Sequence, residues 1–183
     1  MQDKEVIQAT QAWIKEFVVG LNLCPFAKQE VDRCTLRYVT TSADTEVGVL
    51  AVLTDELETL SADASIETTL LIHPQALSGF YEFNHFLGAC DHLLKKMDLS
   101  GTFQIASFHP NYQFVDTEPE DAENFSNRSP YPMLHILRES SVEQAVASYP
   151  AIHELPARNL ETLNQLGTQR LNSMRNTCYD RRS

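Results

Sequence analysis

Several features that would assign a function directly are missing from this 183-residue chain. No apolar run approaches the roughly 20 residues that a membrane-spanning helix needs. The motifs GxGxxG, GxxxxGKS/T, GxSxG and HExxH do not occur, and neither does EF-hand spacing. These absences argue against a membrane span and against the common routes to nucleotide, serine-hydrolase, zinc-protease and calcium-sensor chemistry.

Basic residues are also scarce, with 14 Lys and Arg against 25 Asp and Glu, for a formal net charge of -11. So acidic a surface argues against nucleic acid or a membrane as partner, although it leaves room for a local site that binds a small anion. The N-terminus has acids and an amphipathic rhythm rather than the apolar core of a signal peptide. The four cysteines include no CxxC pair, so we expect free thiols and a cytoplasmic location.

The hydrophobic pattern predicts a single α/β domain over residues 1–176, followed by a polar tail over 177–183. Its core is a mixed four-stranded sheet with flanking helices, in which three strands are parallel and the fourth is antiparallel. The predicted strands are 36–41, 68–73, 103–108 and 133–138. The predicted helices are 3–22, 44–60, 79–97, 140–148 and 160–174.

Two histidines lie at the C-terminal ends of predicted strands, at the sheet edge where open α/β sheets bind ligands. His109 precedes a long irregular connection that reaches Tyr131, and His73 precedes a shorter loop. An antiparallel fourth strand would start at this same edge and bring Arg128 and Ser129 toward His109. We therefore expect a site here, with His109 as a general acid or base. The alternative is a histidine whose ring nitrogen caps a loop carbonyl.

The arginines near this edge are candidates for binding an anion, because the guanidinium fork matches a carboxylate or phosphate. Arg128 alternatively forms ion pairs with the acids of its own loop, and Arg138 alternatively lies at a sheet edge with its charged end in water. The remaining predicted substrate-binding residues lie beside these groups: Asn111, Tyr112, Ser129, Tyr131 and His73.

Five acids between Asp116 and Glu123 suggest a divalent metal site. Asp116 and Glu118 would bind the ion together with His109 and His135, because a transition metal favours mixed imidazole and carboxylate ligands. A solvated acidic loop is the alternative.

Two further residues are candidates for catalysis. His135 shares a strand face with Met133 and Leu137, and it is either a core histidine or a partner of His109. Cys24 follows the first helix, and this position alone does not activate a thiol. It is a redox thiol if a His or Arg approaches it, or a thiolate ligand of haem iron. The alternative is a half-buried structural cysteine.

Three segments together resemble a family of bacterial and plant proteins known only as a domain of unknown function. They are LNLCPFA (21–27), SFHPNYQF (107–114) and NFSNRSPYPMLH (124–135), with LRE (137–139) following. The resemblance runs from the first helix to about Leu166. It implies that the Cys-Pro-Phe, His-Pro-Asn-Tyr and Asn-Arg-Ser-Pro-Tyr-Pro segments are family hallmarks, but it implies no activity, substrate or cofactor.

These observations favour a cytosolic enzyme that acts on a small anionic metabolite by hydrolysis or proton transfer. His109 would be the acid or base, and Arg128 and Arg138 would hold the anion. Two other functions stay open. One is a non-catalytic protein that binds a cofactor, a metal or a protein, and the other is a thiol redox or haem sensor acting through Cys24.

Overall fold

A computed structural model of the protein describes residues 3–149 and 151–180. The strands are β1 (Leu36–Thr40), β2 (Thr68–Ile72), β3 (Phe103–Phe108) and β4 (Met133–Arg138), each within one residue of its predicted bounds. The helices are α1 (Asp3–Trp13), α2 (Ala27–Asp32), α3 (Glu46–Ala62), α4 (Phe80–Lys96), α5 (Glu139–Ser148), α6 (Leu155–Leu166) and α7 (Thr168–Asp180). A π-helical segment (Ile14–Val19) and two 3-10 segments (Ala122–Ser126 and Ile152–Glu154) complete the elements.

The four strands form one mixed sheet in the order β1-β2-β4-β3. Only β1 and β2 pair in parallel, while β4 lies between β2 and β3 and is antiparallel to both. The expected parallel pairing of all three earlier strands is therefore wrong, because β4 separates β3 from the β1-β2 pair and β3 pairs with β4 alone. Met133 is paired with both Ile72 and Phe108, so the ends of β2 and β3 and the start of β4 share one edge.

The sheet separates two apolar layers, since successive side chains of a strand point to opposite faces. Leu71, Leu134 and Ile136 pack with α3 and α4 on one face. Leu70 and Met133 pack on the other face with α1, the π-helical segment, α6 and α7. The apolar cavity described in the next subsection lies on this second face.

The N-terminal helix is not a single regular helix over 3–22, as the sequence predicts. After Trp13 it widens into the π-helical segment, which ends with bonds from Gly20 N–H to the Lys15 carbonyl and from Leu23 N–H to the Val18 carbonyl, both 2.9 Å and both spanning five residues. Such segments often occur at functional sites. None of the described helices is long and apolar enough to cross a membrane.

The C-terminal region also differs from the prediction. The helix expected over 160–174 is two helices, α6 and α7, which are separated at Gly167, where a φ of +74° interrupts the regular helix. The polar tail was expected from residue 177, yet α7 continues to Asp180 and buries Cys178 against the core. The rest of the predicted tail, residues 181–183, lies outside the described residues.

Candidate functional site

The predicted edge site gathers around His109, whose ring is fully buried between Phe80 and Phe83. Its Nδ1 accepts a hydrogen bond from the Asn111 N–H at 3.0 Å, and its Nε2 donates to the Leu77 carbonyl at 3.1 Å. Burial lowers the pKa of His109, which favours the neutral ring. Both nitrogens of the predicted acid or base are thus engaged in holding two loops, as the capping alternative expects.

His73 is fully buried at the same edge, with its ring 5.7 Å from that of Phe83. Its Nδ1 donates to the Ala76 carbonyl at 3.2 Å, whereas its Nε2 is enclosed without a partner. Burial lowers the pKa of His73 to about 4, so the ring is neutral at physiological pH. No solvent reaches either histidine directly.

Arg128 binds backbone carbonyls rather than the acids of its loop. Its Nε donates to the Tyr112 carbonyl at 3.0 Å and its Nη2 to the Pro119 carbonyl at 2.6 Å. The guanidinium lies 4.8 Å from the centre of the Phe125 ring. Arg128 therefore pins the acidic loop, and this contact replaces the ion pairs that the sequence suggested.

Arg138 is engaged in the same way at the C-terminal end of α3, whose last carbonyls have no partner within the helix. Its Nη2 donates to the carbonyls of Leu60 at 2.7 Å and Asp63 at 3.1 Å, and its Nε donates to that of Ile66 at 3.2 Å. The predicted second anion ligand is a side-chain cap for a helix.

The other predicted binding residues are also at the edge and support one another. Tyr112 stacks 5.0 Å from Phe80. Ser129 is buried and donates to the Tyr131 carbonyl at 2.6 Å, and the Tyr131 ring lies against Tyr179. These residues lie close together, and the contacts described here are with the protein itself.

The predicted metal ligands do not assemble. Among the described residues, no group of three or more His, Cys, Asp or Glu side chains has a geometry suited to a metal ion. Both His109 nitrogens are bonded already, and His135 lies on the opposite face of the sheet from the α4 residues that surround His109. Within the described ranges, the structure therefore does not bring Asp116, Glu118, His109 and His135 together as a metal site.

The acidic loop is organised by a residue that the sequence did not single out. Asn124 is fully buried, and its Oδ1 accepts from the Phe114 N–H and the Thr117 hydroxyl, both at 2.9 Å. Its Nδ2 donates to the Glu118 carbonyl at 2.8 Å. An asparagine at the start of the third family-like segment was the available signal, but the pattern carries no direct indication of burial.

A cavity of about 360 Å³ lies on the other face of the sheet, under α1, the π-helical segment, α2 and α5. Its walls are almost entirely apolar and come from elements far apart in the sequence: Trp13, Ile14, Val18, Phe26, Val31, Leu36, Leu70, Ala106, Phe108, Leu137 and Val142. Ligand pockets in proteins are typically about 300–1,000 Å³ and mostly apolar, with a few placed polar groups. The cavity meets that description.

His135 projects into this cavity from β4, the central antiparallel strand. Its Nε2 lies 2.7 Å from the Thr68 hydroxyl, and its ring stacks 6.1 Å from that of Phe108. Burial lowers the pKa of His135 to about 4, so the imidazole is neutral at physiological pH. The prediction that His135 lies on an apolar face is confirmed, and that face borders an open space.

Cys24 lines the same cavity, just after the π-helical segment. It is a free, partly buried thiol, and no hydrogen bond joins it to His135 within the described part of the chain. Cys24, Val18 and Phe108 also form a wall of an open groove of about 630 Å³ on the acidic-loop side. Of the three predicted catalytic residues, the cavity thus gathers His135 and Cys24 but not His109.

Comparison with known proteins identifies a family for this chain but no individual relative. No curated protein and no solved structure matches this chain. The family described as "Protein of unknown function (DUF1415)" matches residues 5–173, which span most of α1, the sheet, the cavity walls and the first part of α7. The chain therefore belongs to the DUF1415 family, which is a family of unknown function as the resemblance predicts.

Proposed function

We propose that this protein binds a small, largely apolar molecule in the cavity above His135. The observation that carries the proposal is an apolar space of about 360 Å³ in which one imidazole lies on the floor. A molecule in this space would contact the apolar side chains that line it and would gain dispersion attraction from each of them. An apolar ligand would also remove this apolar surface from water, which is favourable.

The position of the π-helical segment supports this proposal. Ile14 and Val18 line the cavity from this segment, and Trp13 lines it from the last turn of α1. Widening a helix by one residue per turn weakens its regular bonding, so a π-helix persists where surrounding contacts favour it. Here it shapes one wall of the cavity.

Charge argues for a neutral ligand over the small anion that the sequence favours. Among the described lining residues the one cation is Arg138, whose guanidinium is bonded to three carbonyls of the α3 region. Glu30 and Glu67 line the cavity as well, and both oppose an anion. An anion here would lose its hydration without gaining a cation in return.

Acid–base chemistry on an anionic metabolite, a metal-dependent reaction and thiol or haem sensing stay predictions. Of the residues that they require, His135 and Cys24 line the cavity, and the bonds of His109, Arg128 and Arg138 would first have to break. Binding is the function that uses this geometry unchanged.

The test is binding of N-phenyl-1-naphthylamine, a neutral apolar dye that fluoresces on leaving water. We expect saturable binding to the wild-type protein and a loss of at least about tenfold in affinity for Ala106→Leu, which adds three carbons to the cavity floor. Ala51→Leu is the matched control, because Ala51 is exposed on α3.

Equal dye binding by Ala106→Leu and Ala51→Leu, with both variants folded by circular dichroism, would show that the dye binds elsewhere and would refute the proposal. In parallel, native mass spectrometry of freshly purified protein would detect a co-purified ligand as an added mass that Ala106→Leu lacks.

A further inference from the structure

The hydrogen bonds of His135 fix the position of its ring proton. The Thr68 hydroxyl lies 2.7 Å from the Ile136 carbonyl and 2.7 Å from Nε2 of His135. A carbonyl only accepts, so the single hydroxyl proton of Thr68 is donated to Ile136. The hydroxyl oxygen then accepts from His135, and Nε2 carries the proton.

The other nitrogen of the ring is left as an acceptor. A neutral imidazole protonated at Nε2 has a lone pair on Nδ1. Among the described residues no group donates to Nδ1 of His135, and this atom is not among the enclosed polar atoms that lack partners. Since His135 lines the cavity, its lone pair is open to that space.

Other unpartnered polar atoms near the cavity differ from this one. Nε1 of Trp13 and Oε1 of Glu67 also lack partners, but both are enclosed by protein and are not open to a ligand. Protonation of His135 would remove the lone pair, and burial opposes that protonation at neutral pH. The acceptor is therefore present under physiological conditions.

We propose that the ligand of this cavity carries a hydroxyl or N–H group that donates a hydrogen bond to Nδ1 of His135, and that Thr68 is the positioning residue that keeps this nitrogen an acceptor. The inference rests on the proposed function, since it requires a ligand in the cavity. It assigns the ligand class as a mainly apolar alcohol, phenol or N–H compound that is uncharged at neutral pH.

The first experiment compares p-cresol with p-xylene, which differ by a hydroxyl in place of a methyl group. Isothermal titration gives the affinity ratio of the two probes for the wild-type protein and for His135→Phe, which retains a ring of similar size. We expect the ratio to shift against p-cresol by roughly tenfold in His135→Phe, because the hydroxyl is then buried without an acceptor. The affinity for p-xylene changes little.

The second experiment tests Thr68 and does not depend on the folding of His135→Phe. Thr68→Val removes the hydroxyl that fixes the tautomer, so the ring gains the option of carrying its proton on Nδ1. We expect 4-methylanisole, which only accepts hydrogen bonds, to gain affinity relative to p-cresol by about threefold or more. Thr68→Ser keeps a hydroxyl and is expected to retain the wild-type preference, an outcome that a merely structural role for Thr68 would not produce.

The outcomes separate the two proposals. If neither p-cresol nor p-xylene binds, the proposed function fails and the ligand class fails with it. If both bind and His135→Phe leaves their affinity ratio unchanged, the cavity is a binding site but the hydrogen bond to His135 is refuted. An unchanged probe preference in Thr68→Val overturns the positioning role of Thr68.

Discussion

The strand-edge site and the cavity contain similar residues but differ in how those residues are bonded. At the edge, His109 uses both ring nitrogens internally, and the Arg128 guanidinium is held by two carbonyls. In the cavity, His135 uses one nitrogen and leaves the other open, and Cys24 is a free thiol. The polar side chains at the edge hold loops together, whereas those in the cavity still have a hydrogen-bonding atom free for a ligand.

This contrast shows that residue type alone does not distinguish a structural histidine from one that binds a ligand. A buried polar group whose bonds are complete contributes to stability, because breaking any of them leaves an unsatisfied atom. A polar group that faces an apolar space with one bond unmade has capacity for a ligand. The predictions below therefore set stability at the edge against binding in the cavity.

The largest effect is expected for His109→Ala. The substitution removes a fully buried ring and leaves the Leu77 carbonyl and the Asn111 N–H without partners. We expect the free energy of unfolding to fall by about 4 kcal/mol in urea titrations. His85→Ala is the matched control, since His85 is exposed on α4 and is expected to cost less than about 0.5 kcal/mol. A similar small loss for both variants would contradict the structural role of His109.

The second prediction concerns pH and involves both regions. Burial lowers the pKa of His73 and of His135 from 6.5 to about 4. Between these values the unfolded chain binds more protons than the folded chain, so stability is complete above pH 6.5 and is lost as the pH falls toward 4. Each histidine is expected to contribute up to about 3 kcal/mol to this loss.

Urea titrations at pH 7.5, 6 and 5 measure this effect. His135→Phe is expected to lose less stability than the wild-type protein over that range, because one of the histidines whose pKa is lowered by burial is gone. If the unfolding free energies of His135→Phe and the wild-type protein fall equally with pH, burial does not lower the pKa of His135 as expected.

Much of the fold follows from local sequence patterns. Runs of β-branched and apolar residues such as 68–72 are buried wherever the strand lies, so the bounds of all four strands are predictable. Strand order does not follow from local patterns. The apolar pattern of β4 is compatible with more than one position in the sheet, and tertiary contacts place β4 between β2 and β3. The π-helical segment is not predictable from the sequence for a similar reason. Apolar residues three to four apart are compatible with an α-helix and with a slightly wider helix.

The site is less predictable than the fold. Alternation along β4 places His135 with Met133 and Leu137, which correctly indicates an apolar face. Whether that face meets packed side chains or an open cavity depends on the distance between layers, and helices from both ends of the chain set that distance. The residues of the strand-edge prediction lie near one another, but the sequence does not show that their hydrogen bonds are already made within the protein.

The third prediction tests whether Arg138 belongs to the helix cap or to the cavity. Arg138→Met keeps an apolar stem against Phe103 and loses the bonds to the carbonyls of the α3 region. We expect a loss of about 2 kcal/mol in unfolding free energy, with unchanged binding of p-xylene. Arg170→Met is the matched control, because Arg170 is exposed on α7 and its loss is expected to be near zero. Weaker p-xylene binding without a loss of stability would assign Arg138 to the cavity instead.

The smallest effect on stability, and the most direct measure of cavity access, is expected at Cys24. Cys34 is exposed, whereas Cys24 is partly buried in the cavity wall, so N-ethylmaleimide is expected to modify Cys34 faster. Saturating p-xylene is then expected to slow modification of Cys24 by severalfold and to leave Cys34 unaffected, as read by peptide mass spectrometry. Because Cys24 has no hydrogen-bond partner among the described residues, Cys24→Ser is expected to lower the free energy of unfolding by less than about 1 kcal/mol.

Equal slowing of both thiols would indicate a general effect of p-xylene on the reaction, and no slowing of either would place the bound molecule away from Cys24. Slowing confined to Cys24 would show that the bound molecule lies in the cavity lined by Cys24 and His135. It would thereby distinguish the cavity from the strand-edge region around His109, where the hydrogen bonds are already made.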